Sequence, residues 1–153
     1  MQIYSKMTNT DLIFKTTTPY NNPYQNQSKY PRLLFVCSAG LLRSATGAAL
    51  YAKYGYNTRA AGTHEFALVP LSANLIKWAD KIVFVNDENY RHALQTFDGE
   101  TELLELIGDK SKVLAIPDNF SFMEKGLVDA YEQQLGWGKH DDTTSWAIST
   151  FLH

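Results

Sequence analysis

The chain has 153 residues, enough for one domain with a substantial core. Its hydrophobic content of 44% and charged content of 20% are ordinary for a globular protein. A formal net charge of −2 excludes nucleic-acid or anionic-membrane binding through bulk electrostatics, so recognition of an anion needs a local site. One cysteine excludes an internal disulfide and any multi-cysteine metal or redox centre. Because no apolar run approaches the ~20 residues of a membrane span or forms a signal-peptide core, we expect a cytoplasmic protein.

The first part of the chain differs in character from the rest. Residues 1–31 are rich in Thr, Asn, Gln and Pro, which predicts a polar N-terminal tail or a strap lying over the domain. We expect residues 32–153 to form a single α/β domain.

From Pro31 onward, strand and helix patterns alternate. Short runs of apolar and β-branched residues predict four strands, at 32–37, 57–62, 81–86 and 112–117. Helical spacing predicts helices at 44–55, 70–80, 87–97, 100–108, 122–136 and 141–153. The capping residues predicted for these helices are Gly55, Ser72, Asp87 and either Asp142 or Thr143. The alternation predicts right-handed crossovers and one parallel sheet with helices on both faces.

The turn after the first strand has the sequence CSAGLLRS, residues 37–44. In parallel sheets ligands bind at the carboxyl ends of the strands, and this turn lies there. The backbone N–H groups from Ser38, Ala39, Gly40, Leu41, Leu42 and Arg43 can converge on one point beside a helix N-terminus. Small residues at 38–40 let the backbone approach a ligand closely, so the turn suits a tetrahedral oxyanion.

Three side chains in this turn carry chemistry. Cys37 lies at the floor of the turn, where a helix N-terminus and a nearby cation favour the thiolate form. Arg43 presents a planar fork that binds two phosphate oxygens at once, which lysine cannot do. Ser44 can donate its hydroxyl to the sulfur. The turn therefore predicts a nucleophile, an anion clamp and a thiolate stabiliser.

The alternative for Cys37 is a small buried apolar residue, which is what a lone cysteine at a strand end most often is. The chain has only four arginines, so one standing six places after the cysteine and followed by serine is improbable by chance. We therefore favour the catalytic interpretation.

The Cys-x5-Arg-Ser turn at the end of a first strand resembles the low-molecular-weight protein-tyrosine phosphatases. The similarity continues through RAAGT (59–63), LSANLIKWADKIVFV (71–85) and IPDNF (116–120), covers 32–137, and is nearest to a bacterial subgroup of predicted phosphatases. The resemblance implies a four-stranded parallel sheet, for which we expect the order 2-1-3-4, and no metal. We also expect a monomer without other cofactors. It also implies hydrolysis of phosphotyrosine in proteins, or of small aryl phosphates, through a phosphocysteine.

That mechanism needs a general acid for the leaving phenolate, which then activates water. The resemblance places an aspartate late in the chain, and Asp118, just past the fourth strand, is our candidate. Asp87 is a rival that a helix cap also explains, and Asp129 is expected to be a solvated helix residue. We expect Leu41, Phe120 and Phe66 to flank an aryl ring in the substrate pocket.

The chain departs from the family pattern at four positions. Gly40 replaces a loop asparagine, Ala45 a proline, and Asn119 the proline after the acid, while Leu42 occupies the place of a second cysteine. Gly40 and the Asp118-Asn119 pair motivate the alternative function, a catalytically inactive phosphate- or phosphopeptide-binding module. Thiol-coupled arsenate reductases need further cysteines, and phosphocysteine carriers of sugar uptake lack the arginine, so neither fits.

Overall fold

The computed structural model describes residues 31–137, so the predicted tail and the predicted last helix, with its cap at Asp142 or Thr143, lie outside the described residues. Within this range the elements follow the predicted order. The strands are β1 Arg32–Cys37, β2 Asn57–Gly62, β3 Lys81–Phe84 and β4 Ser111–Val113. The helices are α1 Arg43–Lys53, α2 Ala73–Trp78, α3 Asp87–Thr96, α4 Thr101–Lys110 and α5 Lys125–Leu135.

The four strands form one parallel sheet in the order β2-β1-β3-β4, which confirms the predicted fold class. Cys37 pairs with Gly62 on one side of β1, and Val36 pairs with Phe84 on the other. The residues that follow these strand ends therefore meet at one edge of the sheet, as expected for parallel strands.

Helices cover both faces of the sheet. Successive side chains of β1 point to opposite faces, and on each face they pack in an apolar cluster with the helices there. Leu33, Phe35 and Cys37 pack in one cluster with side chains of α1 and α5. Leu34 and Val36 pack in the other with side chains of α2, α3 and α4. The central strand is thus buried on both sides.

Two strands end earlier than predicted. β3 stops at Phe84 because Asn86 caps α3, its side chain accepting a 3.0 Å hydrogen bond from the N–H of Asn89. The predicted cap, Asp87, is instead the first helical residue and pairs with Arg91 at 2.6 Å. β4 ends at Val113, although the N–H groups of Leu114 and Ile116 still bond to the neighbouring strand's end.

The helix boundaries follow their capping residues. Ser72 caps α2 as predicted, and its hydroxyl accepts from the N–H of Leu75 at 3.2 Å. Gly55 follows the end of α1 with a φ of 102°. α5 begins at Lys125 instead of 122, because Met123 has a φ of 59° that cannot continue a helix. Within residues 31–137 no helix is long and apolar enough to cross a membrane.

A buried tyrosine makes the stability of this fold depend on pH. Tyr56 is fully buried beside Tyr51, and this burial raises the pKa of Tyr56 from 10.0 to about 12. Because the folded protein favours the neutral phenol, the stabilisation is complete below pH 10 and is lost as the pH rises towards about 12. We expect the free energy of unfolding in urea to fall over this range, and to fall less in Tyr56→Phe. Tyr90→Phe, at a less buried position, is the control. If the free energy of unfolding fell equally in the wild type and in Tyr56→Phe, the raised pKa would not belong to Tyr56.

Candidate active site

The candidate site is the turn between β1 and α1, whose shape depends on two glycines. Gly40 has a φ of 75°, a conformation that L-residues rarely adopt. A Cβ at Gly62, on the neighbouring strand, would lie 2.5 Å from the carbonyl oxygen of Ser38 and 2.7 Å from the backbone of Ala39. The turn can therefore pack directly on the end of β2 because that end has no side chain.

Cys37 and Ser44 are brought together as predicted. The Cys37 Sγ lies 3.0 Å from the Ser44 Oγ and accepts the N–H of Gly40 at 3.2 Å. Cys37 is 3% exposed and belongs to an apolar cluster, so its burial alone fits the alternative of a core residue. Its sulfur, however, makes two polar contacts, with the Ser44 hydroxyl and the Gly40 N–H, which an apolar filler does not need.

The turn leaves backbone donors for an anion. Of the N–H groups from residue 38 to residue 42, only that of Gly40 has a protein acceptor among the described residues, and that acceptor is the sulfur. The N-cap of α1, Leu42, has no side-chain bond to the helix's first N–H groups. The turn that begins at the sulfur thus carries amides without a protein acceptor next to the positive end of a helix, which is the kind of site that binds an anion.

Arg43 is the first residue of α1 and lies inside the protein. It is 4% exposed, and its Nη1 donates to the carbonyl oxygen of Ile116 at 3.1 Å. Its Nε lies 3.5 Å from Asp118 Oδ1, and the Asp118 side chain is 77% exposed. The structure therefore joins the predicted clamp to the predicted acid, with the acid on the open side.

The two rival carboxylates are paired elsewhere. Asp87 forms its ion pair with Arg91 on the exposed surface of α3. Asp129 lies on α5 and pairs with Lys125 at 2.8 Å, as a solvated helix residue would. Of these three aspartates, Asp118 is the one that contacts Arg43.

Asn89, which sequence reasoning missed, braces the turn from α3. It is 1% exposed, and its Nδ2 donates to the Ser38 Oγ at 3.0 Å. Gly40 cannot supply the side-chain bond that an asparagine in the turn would, and this contact supplies one from another element. The signal in the sequence was weak: a second asparagine one helical turn after Asn86, beside the carboxyl edge of the sheet.

Removing this brace should weaken anion binding. Asn89→Ala removes one hydrogen bond worth about 1 kcal/mol, which corresponds to roughly fivefold in affinity. We expect inorganic phosphate to bind the variant about fivefold more weakly in calorimetry. Gln95→Ala, on the exposed surface of the same helix, should bind phosphate as the wild type does. Equal affinities in Asn89→Ala and Gln95→Ala would contradict the role of Asn89.

Tyr131 holds the start of α1 from beneath. Its hydroxyl donates to the backbone carbonyl of Arg43 at 2.5 Å, and its ring packs edge-on against Phe35. Burial, more than any neighbouring charge, raises the pKa of Tyr131 well above its ordinary value, so the phenol stays a donor. The sequence placed this tyrosine on a helix but gave no sign of the contact.

The predicted pocket residues differ in exposure. Leu41, in the turn, is 41% exposed, as is its neighbour Leu42 at 40%, and Phe120 packs partly against the core. Phe66 is 87% exposed, in the loop between β2 and α2. That loop bonds to the turn: the N–H of His64 donates to the Ser38 carbonyl oxygen at 3.0 Å. Exposed apolar side chains of the turn itself are thus observed, while the substrate pocket of Leu41, Phe120 and Phe66 stays a prediction.

Comparison with known proteins adds little to this picture. No family model and no curated protein matches the chain. A crystal structure of a YwlE mutant from Bacillus subtilis is 18% identical, covers 79% of this chain and 86% of that one, and has a TM-score of 0.46. A structure of the YwlE arginine phosphatase, a mutant with a phosphorylated active-site serine, is 16% identical, with coverages of 78% and 83% and a TM-score of 0.45. Likenesses this weak do not assign an activity, and the fold follows from this chain's own strand order.

Proposed function

We propose that this protein is a cysteine-dependent phosphatase that hydrolyses phosphotyrosine or other aryl phosphomonoesters through a phosphocysteine. The observation that carries the proposal is the Cys37 sulfur, which contacts the Ser44 hydroxyl and accepts the Gly40 N–H. It lies in a turn whose other amides, from residue 38 to residue 42, have no protein acceptor among the described residues. Arg43 is buried at the other end of the same turn. A phosphate bound there would meet a nucleophile, backbone donors and a guanidinium together.

The first step transfers the phosphoryl group to sulfur. The Cys37 thiolate attacks phosphorus and the bond from phosphorus to the aryl oxygen breaks, while Asp118 gives its proton to the leaving oxygen. The backbone amides and Arg43 stabilise the charge on the equatorial oxygens. In the second step the Asp118 carboxylate takes a proton from water, which attacks phosphorus and releases phosphate. The hydroxyl of Ser44 donates to the sulfur as it leaves.

The pair formed by Arg43 and Asp118 fits this sequence of events. Without substrate, the guanidinium is held by the Ile116 carbonyl and by the Asp118 carboxylate. A phosphate dianion competes for Arg43 with two oxygens in place of one. Binding therefore releases Asp118 from the ion pair, on the exposed side where a leaving group would lie.

The rim of the turn supports an aryl substrate over an alkyl one. Leu41 and Leu42 expose apolar surface directly beside the amides that would bind phosphate. An aromatic ring attached to that phosphate would cover this surface, whereas a serine side chain is too short to cover much of it. Phosphorylated proteins and small aryl phosphates are accordingly the proposed substrates, with a monomer in the cytoplasm as the proposed form.

Turnover of p-nitrophenyl phosphate with excess chelator present tests the proposal. We expect hydrolysis without added metal or cofactor, and faster release of phosphate from a phosphotyrosine peptide than from the matching phosphoserine peptide. Phosphoarginine belongs in the same panel, and its preference over phosphotyrosine would contradict the aryl assignment. Phosphate binding without turnover of any of these phosphorylated compounds would favour the alternative function, the binding module.

A further inference from the structure

The loop that carries Asp118 has few contacts of its own. Asp118 and Asn119 are exposed, and among the described residues the backbone from Pro117 to Phe120 forms no hydrogen bond. A general acid must nevertheless be held within hydrogen-bonding distance of the leaving oxygen. Apart from its ion pair with Arg43, the position of Asp118 therefore depends on what fixes the two ends of its loop.

Both ends are fixed by the first turn of α1. On the N-terminal side, the Ile116 carbonyl oxygen accepts from Arg43 Nη1 at 3.1 Å. On the C-terminal side, the N–H of Met123 donates to Thr46 Oγ1 at 2.8 Å. Arg43 and Thr46 stand three residues apart, so they share one face of the helix. The helix that begins at the phosphate-binding turn thus holds the acid loop at both ends.

The second contact lies at a strained position. Ser121 to Glu124 form a turn closed by the N–H of Glu124 donating to the Ser121 carbonyl oxygen at 3.1 Å. Met123, the third residue of this turn, has a φ of 59°, where glycine or asparagine is usual and other residues cost of order 1 kcal/mol or more. Such a conformation persists only where surrounding contacts hold it. Thr46, which is fully buried, provides one such contact.

We propose that Thr46 is a positioning residue for the general acid: by holding the strained turn at Met123, it fixes the Asp118 loop relative to the phosphate-binding turn. This inference rests on the proposed function, since it concerns the proton that Asp118 gives to the leaving group. The proposal predicts a loss of rate that depends on the leaving group. A weakly basic aryl oxide leaves with little help from a general acid, whereas a strongly basic aryl oxide needs the proton from Asp118.

The test compares two substrates that differ in this need. Thr46→Val keeps the side-chain shape and removes the hydroxyl, while the control Thr46→Ser keeps the hydroxyl. We expect Thr46→Val to lower kcat/KM about tenfold on phenyl phosphate but less than roughly threefold on p-nitrophenyl phosphate. Thr46→Ser should follow the wild type on both. Thr46→Ala removes the hydroxyl together with the branching methyl group and serves if the valine variant does not fold.

A double-mutant cycle separates positioning of the acid from general damage. In an Asp118→Asn background the acid is already absent, so adding Thr46→Val should cause no further loss on phenyl phosphate. An equal loss on both substrates, or a full further loss in the Asp118→Asn background, overturns the proposal.

Amide hydrogen exchange distinguishes failure of this inference from failure of the proposed function. If the wild type turns over neither ester, the proposed function fails. The Met123 amide should still exchange at least roughly tenfold faster in Thr46→Val than in Thr46→Ser, because only the latter retains the acceptor. Equal exchange in the two variants would show that Thr46 does not hold this turn, whatever the activity.

Discussion

Replacing Cys37 by serine is expected to lower kcat/KM on p-nitrophenyl phosphate at least about a thousandfold. A serine hydroxyl at this position is a far weaker nucleophile than a thiolate, and the Gly40 N–H that donates to the sulfur can stabilise an anion that serine does not readily form. Steady-state kinetics with excess chelator measure the effect. The substitution changes one atom in a buried position, so the fold should persist.

Phosphate binding provides the control for this variant. Because Arg43 and the free amides are unchanged, Cys37→Ser should still bind inorganic phosphate. Loss of both binding and turnover would indicate a damaged turn, whereas retained turnover in Cys37→Ser would rule out Cys37 as the nucleophile.

Replacing Arg43 by lysine is expected to lower kcat/KM on the same ester about a hundredfold, although the charge is kept. Lysine has no planar group that binds two phosphate oxygens at once. Its single ammonium also cannot bind phosphate in that way and donate to the Ile116 carbonyl oxygen at the same time, as the guanidinium of Arg43 can. The measurement is kcat/KM together with the inhibition constant for inorganic phosphate, and both should worsen.

Arg91→Lys is the matched control, because it makes the same substitution outside the candidate site. It lies on the exposed surface of α3 and pairs with Asp87, an interaction that contributes little in water. Arg91→Lys should therefore keep the wild-type kcat/KM. A similar small effect of Arg43→Lys and Arg91→Lys would show that Arg43 is not a bidentate clamp.

The parts of this fold that were predictable are those with a local cause. β1 and β2 have the predicted bounds because the residues after them end each strand. β1 stops where the turn begins at Cys37, and β2 stops at Gly62. The proximity of Cys37 to Ser44 follows from the spacing within one strand–turn–helix unit. Even the pairing of Arg43 with Asp118 follows from parallel strands, whose carboxyl ends share an edge.

The parts that were missed depend on contacts between distant segments. The position of Asn89 one helical turn after Asn86 is only a weak sign that its amide reaches Ser38, 51 residues away along the chain. Methionine favours helices, so the pattern predicted α5 from 122, yet Met123 adopts a left-handed conformation beside Thr46. In both cases tertiary packing decides the role of the residue, and propensity and spacing do not report it.

The most direct test of the central claim is to identify the atom that carries the phosphoryl group during turnover. Asp118→Asn should slow hydrolysis of the intermediate, so that mixing this variant with p-nitrophenyl phosphate and denaturing it rapidly traps the covalent species. Peptide mass spectrometry should then find one phosphoryl group on the peptide that contains Cys37. Release of p-nitrophenol with no phosphorylated peptide, or with the group on another residue, would contradict the account.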